Sequence, residues 1–534
     1  MKKLDRLDWI TRNRLVMKNM IKKIGKQKLQ NPKALKVLFW GTMPWERGGV
    51  EHMLATAMRS RGHQIHGTWC SGGMSACSME SIIYPRPDCK SCTTRHKKLL
   101  DIWGLDGIYK PTGTYISDQE KGAICDLIDS IPFEELSKFN HLGLPIGKLA
   151  EMDLSQFFFR MVDHSEKVVR EYFRRSVKGV AEYAIVANNY LNELKPDQVV
   201  VTSGRTVAFS SLYQLCRLKK IPITTWDESI GGLGAFVFAN NSYAVDYDKP
   251  NAWDRISKEK LSNEEIEFNL AYFKNTAIGK FGRHTYYNNP IENRQEIIEN
   301  LGLKKDRPLT VLLSNMTWDT SVLGKNIVYD DMIHWLKDSI ELFMNHPEKQ
   351  LVVRTHPGEG HLAAYASGCE SVSELLNKQY PNLPDNIKIV SGKEEISSHQ
   401  LAEMATTIVV YTTSVGMEMA LRGRRVLVVA KSHYRNKGFT VDLETKDEYY
   451  KEIMNQDQNN SKISEEQIKL ANKYAYYFIV RTEAYLDEFN IEDRHQYQII
   501  DPEHFLPGKS VRWDKLCSNL ENQGDYVDCT GYIK

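Results

Sequence analysis

The sequence predicts two α/β domains, each built on a doubly wound parallel sheet. Three observations lead there. The chain has 534 residues, too many for one hydrophobic core. Short apolar, β-rich runs alternate with helical patterns in both halves. A charged, helical stretch without such runs lies between them. With 42% hydrophobic and 26% charged residues, the composition is that of an ordinary globular protein.

Taken in order, residues 1–34 come first as a basic amphipathic helix. Residues 1–36 carry about a dozen Lys/Arg against only Asp5 and Asp8, and Ile10, Met17, Ile21 and Ile24 share one side with Trp9, Val16 and Met20 beside them. Such a helix can lie on an anionic membrane surface or stand solvated. No apolar run approaches the ~20 residues that span a bilayer. The N-terminus lacks the apolar core and cleavage site of a signal peptide. The expected location is the cytoplasm, with contact at the inner face of the membrane open to the basic helix. The net charge of +2 singles out no partner, and no nucleic acid is expected to bind.

Residues 35–250 form the first domain, with strands in LKVLFW (35–40), HQIHGTWC (63–70), DQVVVTSG (197–204) and IPITTWDE (221–228). Residues 251–305 read as a helical linker. There Ser262 and Glu265 have capping-box spacing, and IENRQEIIENLG stops at Gly302. Residues 306–480 form the second domain, with strands in PLTVLLSN (308–315), QLVVRTHP (350–357), IKIVSG (387–392), TTIVVYTT (406–413) and RRVLVVA (424–430). Residues 481–534 are a C-terminal extension. Two such domains in series suggest a cleft, with ligands beyond the carboxyl ends of the strands.

The residues just after each strand are therefore the candidates. In the second domain one strand ends in Arg354, His356 and Glu359, and another in Thr412, Thr413 and Ser414. Small hydroxyl residues at a strand-to-helix turn suit a phosphate, because hydroxyls and backbone N–H groups point at it. Either Thr413 or Ser414 would by itself serve as a helix cap. Glu418 follows within reach of a ribose hydroxyl pair. A second His-Pro pair, His346-Pro347, precedes its strand and so lies at the wrong end of the sheet. Arg354 alternates onto the face of His356, whereas Glu359 reads as a helix-start residue. Lys431, Tyr434 and Lys437 follow the last strand, where cations and a ring suit an anionic ligand with a base or sugar.

In the first domain GTMPWERGGVEHML follows the first strand. Gly48 and Gly49 permit a tight loop, and Glu51 and His52 open a helix. Asp227 and Glu228 end the strand TTWDE, where one carboxylate can act as general base on an acceptor hydroxyl and the other points away. Cys70, Cys77, Cys89 and Cys92 form an insertion at 70–92, spaced C-x6-C-x11-C-x2-C. Its CxxC leaves four unliganded thiols, a structural zinc and an iron–sulfur cluster as the readings. Nine cysteines, an odd number, fit a reducing compartment.

In LLSNMTWD, VVRTHPGE, VVYTTSVGMEMALRGRRVLVVA and KSHYRNKGFT, all within residues 311–440, the chain resembles GT-B glycosyltransferases of bacterial capsule and surface polysaccharide synthesis, the group that includes capsular Kdo transferases. GGVEHMLATAMRSRGH is similar to the acceptor-side opening of many GT-B enzymes. The resemblance implies a nucleotide-sugar donor held by the second domain and a polysaccharide or lipid-linked glycan acceptor held by the first. It implies that His356 and Thr412–Ser414 contact the donor phosphate, and that transfer uses no metal cofactor. No D-x-D motif occurs in the second domain. WDES at 226–229 resembles the acidic motif of bacterial GT-B sialyltransferases, with Ser229 where that pattern has Gly. A CDP-glycerol-type glycerophosphotransferase of teichoic-acid-like polymers and a catalytically silent scaffold are the competing expectations.

Overall fold

Thirteen strands order the computed structural model, which describes residues 9–26, 31–41, 49–229, 235–247, 249–277, 286–287, 289–362, 368–455, 461–488 and 497–529. The first six are β1 (Lys36–Trp40), β2 (Gln64–Trp69), β3 (Tyr109–Pro111), β4 (Gln198–Thr202), β5 (Ile223–Glu228) and β6 (Ala235–Asn240). The next six are β7 (Leu309–Leu313), β8 (Gln350–Arg354), β9 (Ile387–Val390), β10 (Thr407–Val410), β11 (Val426–Val428) and β12 (Val441–Asp442). The last is β13 (Glu483–Tyr485). All nine strands expected from the sequence are present, so the α/β class with doubly wound parallel sheets is as predicted.

The chain divides into two units. The first comprises Met1–Phe157, Val162–Lys249 and Val480–Lys534, and the second Phe158–Met161 and Pro250–Ile479. The first sheet runs β13-β6-β5-β4-β1-β2-β3, parallel from β5 to β3 and antiparallel at β6 and β13. The second runs β12-β11-β10-β7-β8-β9 and is parallel throughout. Their central strands are buried on both faces. Val199–Val201 and Leu309–Leu313 are apolar or Thr and inaccessible, the continuous pattern that helices on both faces demand.

Four strands carry no legible signal. β3, β12 and β13 are two or three residues long, and β6 is the hairpin return of β5. Residues 481–534, read as an extension, contribute β13 to the first sheet. Residues 251–305, read as a linker, are part of the second unit. The helix Asn263–Ala277 starts at the expected capping box, where Glu265 N–H donates to Ser262 Oγ at 3.2 Å and Ser262 N–H donates to Glu265 Oε2 at 2.7 Å. Its Asn269 donates to the carbonyl of Asn472 at 2.9 Å. Gly302 ends the next helix with φ of 62°, a left-handed cap that suits glycine.

The N-terminal helix, Trp9–Lys26, packs against its own unit. Met17, Met20 and Ile24 are buried in the first unit's core, and Asn13 is locked between the carbonyl of Tyr497 and the N–H of Ile499. The apolar stripe is thus occupied by protein, because its own domain offers a complementary apolar face. Of that stripe, the Trp9 and Ile10 side chains lie outside the described residues. No described helix is long and apolar enough to cross a membrane.

Candidate functional site

In the second sheet the chain steps from β7 to β8 and β9, then returns to place β10 on the other side of β7. Between β7 and β10 the connections leave in opposite directions, the topological switch point at which doubly wound sheets take their ligands, at the strands' carboxyl ends. Two loops meet there: Asn315 Oδ1 accepts from Thr412 N–H at 3.2 Å. Ser314 Oγ and Thr412 Oγ1 are buried and have no hydrogen-bond partner among the described residues. A buried hydroxyl left so costs about 1–3 kcal/mol, so two at one strand edge mark a place made for a polar ligand or water.

His356 stands one strand away, after β8. Its Nδ1 accepts the N–H of Gly358 at 3.0 Å, which puts the proton of the neutral ring on Nε2 and makes that nitrogen a donor. Tyr286 meets the ring edge-on at 5.2 Å between centroids. A Cβ at position 358 would lie 2.8 Å from Nδ1, so this arrangement requires glycine there. Glu359, in the short helix after it, accepts from Val372 N–H at 3.0 Å, and burial pushes its carboxyl up to about 7.

Other residues expected to hold the donor have different work. Arg354 is buried, and all its donors serve the fold. Nε donates to Ser398 Oγ at 3.1 Å, Nη1 to the carbonyl of Ser391, and Nη2 to Tyr287 OH and the Glu394 carbonyl at 3.2 and 3.3 Å. Alternation does place it beside His356, yet its length carries the guanidinium into the sheet's flank. Tyr434 is inaccessible and donates to the carbonyl of Thr413 at 2.7 Å while packing on Gly416. It therefore props the turn at 412–416 from beneath and presents no face for stacking.

Glu418 is buried and doubly held. Oε1 accepts from Ser414 Oγ at 3.0 Å, and Oε2 lies 2.7 Å from His399 Nε2. His399 carries no motif, sitting in the run Ser397-Ser398-His399 where serine caps a helix, and only the fold brings it here. Thr413 is partly buried, its Oγ1 accepting from Val415 N–H at 3.5 Å. Lys431 is exposed and Lys437 partly so.

The first sheet has its own switch point, between β1 and β4. Glu51, from the helix Gly49–Ser60 that follows β1, reaches this edge and is buried. Its Oε1 accepts from Trp226 Nε1 on β5 at 3.0 Å, and a Cβ on Gly41 would lie 3.1 Å from Oε2. Burial pushes the carboxyl up to about 7. His52 is buried beside it, its ring 5.9 Å from Tyr109 and 6.3 Å from His96. Burial holds the two imidazoles down at about 4 and about 3, so both are neutral near pH 7. Tyr109 OH, His52 Nδ1 and both ring nitrogens of His96 have no partner among the described residues. Tyr109 is invisible to sequence reasoning because its strand is only three residues long. Gly48 lies outside the described residues, and Gly49 packs against the Tyr497 ring.

Asp227 and Glu228 are half-buried at the end of β5, in register with Val237 and Phe236 of β6. Asp227 Oδ1 accepts from Glu228 N–H at 2.8 Å. Ser229 is buried and donates to Glu483 on β13. Cys70, Cys77, Cys89 and Cys92 are all free and partly buried, and no three His, Cys, Asp or Glu among the described residues are placed to hold a metal. The thiols sit in a β2 exit loop and the first turn of the helix Cys89–Ile102, with Arg86 Nη2 at 3.9 Å from Cys89 Sγ.

The family described as Capsule polysaccharide biosynthesis protein matches residues 234–479. No curated relative matches the chain. Among solved structures, KpsC of Thermosulfurimonas dismutans, a β-Kdo 2,4 transferase, is 14% identical over 61% of this chain and 88% of its own, with a TM-score of 0.34. The UDP-GlcNAc 2-epimerase of Neisseria meningitidis bound to UDP-GlcNAc is 12% identical over 82% of this chain and 98% of its own, at 0.26. The Streptomyces sp. SF2575 glycosyltransferase SsfS6 with thymidine diphosphate is 10% identical over 83% and 96%, at 0.23. With scores this low, the fold rests on the chain's own strand order. Over residues 234–479, the stretch that includes the His-Pro strand end and the hydroxyl-rich turn, the chain resembles the capsule polysaccharide biosynthesis proteins.

Proposed function

We propose that the protein is a glycosyltransferase that moves a sugar from a nucleotide-activated donor to a growing capsule or other cell-surface glycan. The second unit holds the donor and the first the acceptor. The observation that carries this reading is the β7/β10 switch point, where Asn315 ties the Thr412 turn and His356 stands one strand away with its Nδ1 accepting from Gly358.

The chemistry follows from charge. As the bond from the anomeric carbon to the phosphate oxygen breaks, the electron pair stays on the leaving phosphate. His356 Nε2–H and the hydroxyls of Thr412 and Thr413 meet that charge as it builds, whereas Ser414 is left out because its hydroxyl donates to Glu418. Arg354 is left out of the donor set and keeps the sheet edge in place. The acceptor hydroxyl attacks the anomeric carbon and gives its proton to a carboxylate of the first sheet. Asp227 and Glu228 are candidates at the end of β5. Glu51 is the third, and its carboxyl near 7 matches a base that works near neutral pH.

A donor panel tests the proposal. One of CMP, UDP, GDP or CDP raises the melting temperature of wild-type protein, and the matching nucleotide sugar supports transfer that His356→Ala abolishes. Transfer of glycerol phosphate with no sugar transferred sinks the reading in favour of a glycerophosphotransferase. An active His356→Ala protein removes His356 from the mechanism.

A further inference from the structure

The long helix Lys167–Leu194 of the first unit has a face that the proposed transfer does not use. One side packs into the core through Val169, Tyr172, Phe173, Val177 and Val180. The other lines a cavity of about 800 Å³ with Lys167, Arg170, Glu171, Arg174, Arg175 and Lys178. Steps of three and four residues put all six on one face. A merely solvated helix face mixes its signs, whereas this one has five cations to one carboxylate.

Four of the five cations are held in position, and the fifth, Lys167, lies 3.7 Å from Glu171 on the exposed surface. Arg170 lies over the Phe133 ring at 4.2 Å, and Arg175 over Tyr172 at 4.9 Å. Arg174 donates to the carbonyl of Ile131 at 2.9 Å and to that of Ile128, with no carboxylate partner among the described residues. Arg175 pairs with Glu80 at 2.7 Å, Lys178 with Asp129 at 2.7 Å, and Arg170 with Glu134 at 3.6 Å. None of those three carboxylates lines the cavity. Counting them, the neighbourhood still keeps one excess positive charge, and the wall itself is more positive. Ordered guanidinium groups lose little freedom when an anion arrives.

The layout also restricts the ligand. A single phosphate wants donors that converge on one point. Here the charges run in a row for roughly 16 Å along the helix, at 1.5 Å per residue. A row suits a chain with repeated negative charges. We propose that this cavity binds an extended acidic glycan, a stretch of the polymer under construction. That assignment rests on the polysaccharide reading above. It adds a hold on the polymer away from the reacting sugar, which would let one acceptor chain stay bound through several transfers.

The test uses full-length protein and fluorescently labelled polygalacturonate oligomers, with malto-oligomers of similar length as the neutral control. Polygalacturonate binds, more weakly as salt rises, and the malto-oligomer does not. Lys167 is 90% exposed and Arg170 45%, so Lys167→Ser with Arg170→Ser leaves the fold intact and weakens polygalacturonate binding about tenfold. Lys178→Gln, a single change farther along the row, weakens it as well. In polymerisation assays the double variant yields shorter products while transfer of one sugar to a short acceptor is unchanged. Equal binding of the neutral oligomer overturns the proposal, as does binding indifferent to both variants. Preferential capture of phosphatidylglycerol vesicles or of single-stranded DNA over polygalacturonate overturns it too, and assigns the face to a membrane or nucleic acid. A wild type that binds polygalacturonate but transfers no sugar refutes the transferase reading and leaves the glycan site standing.

Discussion

Replacing Glu51 by Gln should make the first unit more stable above neutral pH and abolish transfer if Glu51 is the base. Gln keeps an oxygen to accept from Trp226 Nε1, so the 3.0 Å hydrogen bond survives and only the ionisable proton is removed. Burial raises the carboxyl from 4.5 to about 7, a rise worth about 3 kcal/mol. Between those two pH values the folded protein binds a proton that the unfolded chain releases. The stability this contributes is therefore fully present below about pH 4.5 and lost as pH rises through about 7. Wild type and Glu51→Gln should match near pH 4.5, and the variant should gain up to about 3 kcal/mol by pH 8. Glu359, also raised to about 7, adds a slope common to both proteins and cancels in the difference. The assay is the denaturation midpoint of each protein from pH 4.5 to 8.5, with infrared titration of the carboxyl band as the direct readout. Parallel curves across that range, with no carboxyl band lost in the variant, refute the burial argument. Gain of stability with loss of activity is the expected pattern for a strained functional group.

Other substitutions separate structural from chemical roles. Arg354→Met strands the Ser391 and Glu394 carbonyls and should cost about 3 kcal/mol or more in urea denaturation of the second unit. Nucleotide affinity per folded molecule should not change, and a selective loss of affinity would restore Arg354 to the donor site. Gly358→Ala brings a Cβ to 2.8 Å from His356 Nδ1, displaces the ring and should lower kcat about a hundredfold with little change in melting temperature. Met17→Ala should cost about 2–4 kcal/mol in the absence of any membrane, because Met17 is buried in the core, and an unchanged melting temperature would count against that packing. Burial and the neighbouring thiols push the Cys92 thiol up to about 11, so at pH 8 only about one molecule in a thousand carries the thiolate. Mass spectrometry should show slow alkylation of Cys92 that accelerates steeply towards pH 10, and rapid labelling at pH 8 would contradict it.

Residue order alone determined the α/β class, because central parallel strands are buried on both faces and so read as continuous apolar runs, as TVLL and LVV do. It also located the carboxyl-end loops, since a polar residue straight after such a run can only sit at the edge. His356 and Thr412 were legible for that reason. The tertiary structure decided what each side chain at that edge can reach. Arg354 and Tyr434 carry the right chemistry, yet their length lets them turn inward to satisfy buried carbonyls, and local sequence cannot express that direction. Asn315 against Thr412, Trp226 against Glu51 and His399 against Glu418 are pairs made by strand order and helix placement, at separations of 97, 175 and 19 residues. The N-terminal helix shows the same division. Its amphipathicity is written in the sequence, but an apolar stripe does not specify its partner, and only the packed core shows that Met17, Met20 and Ile24 are buried in it.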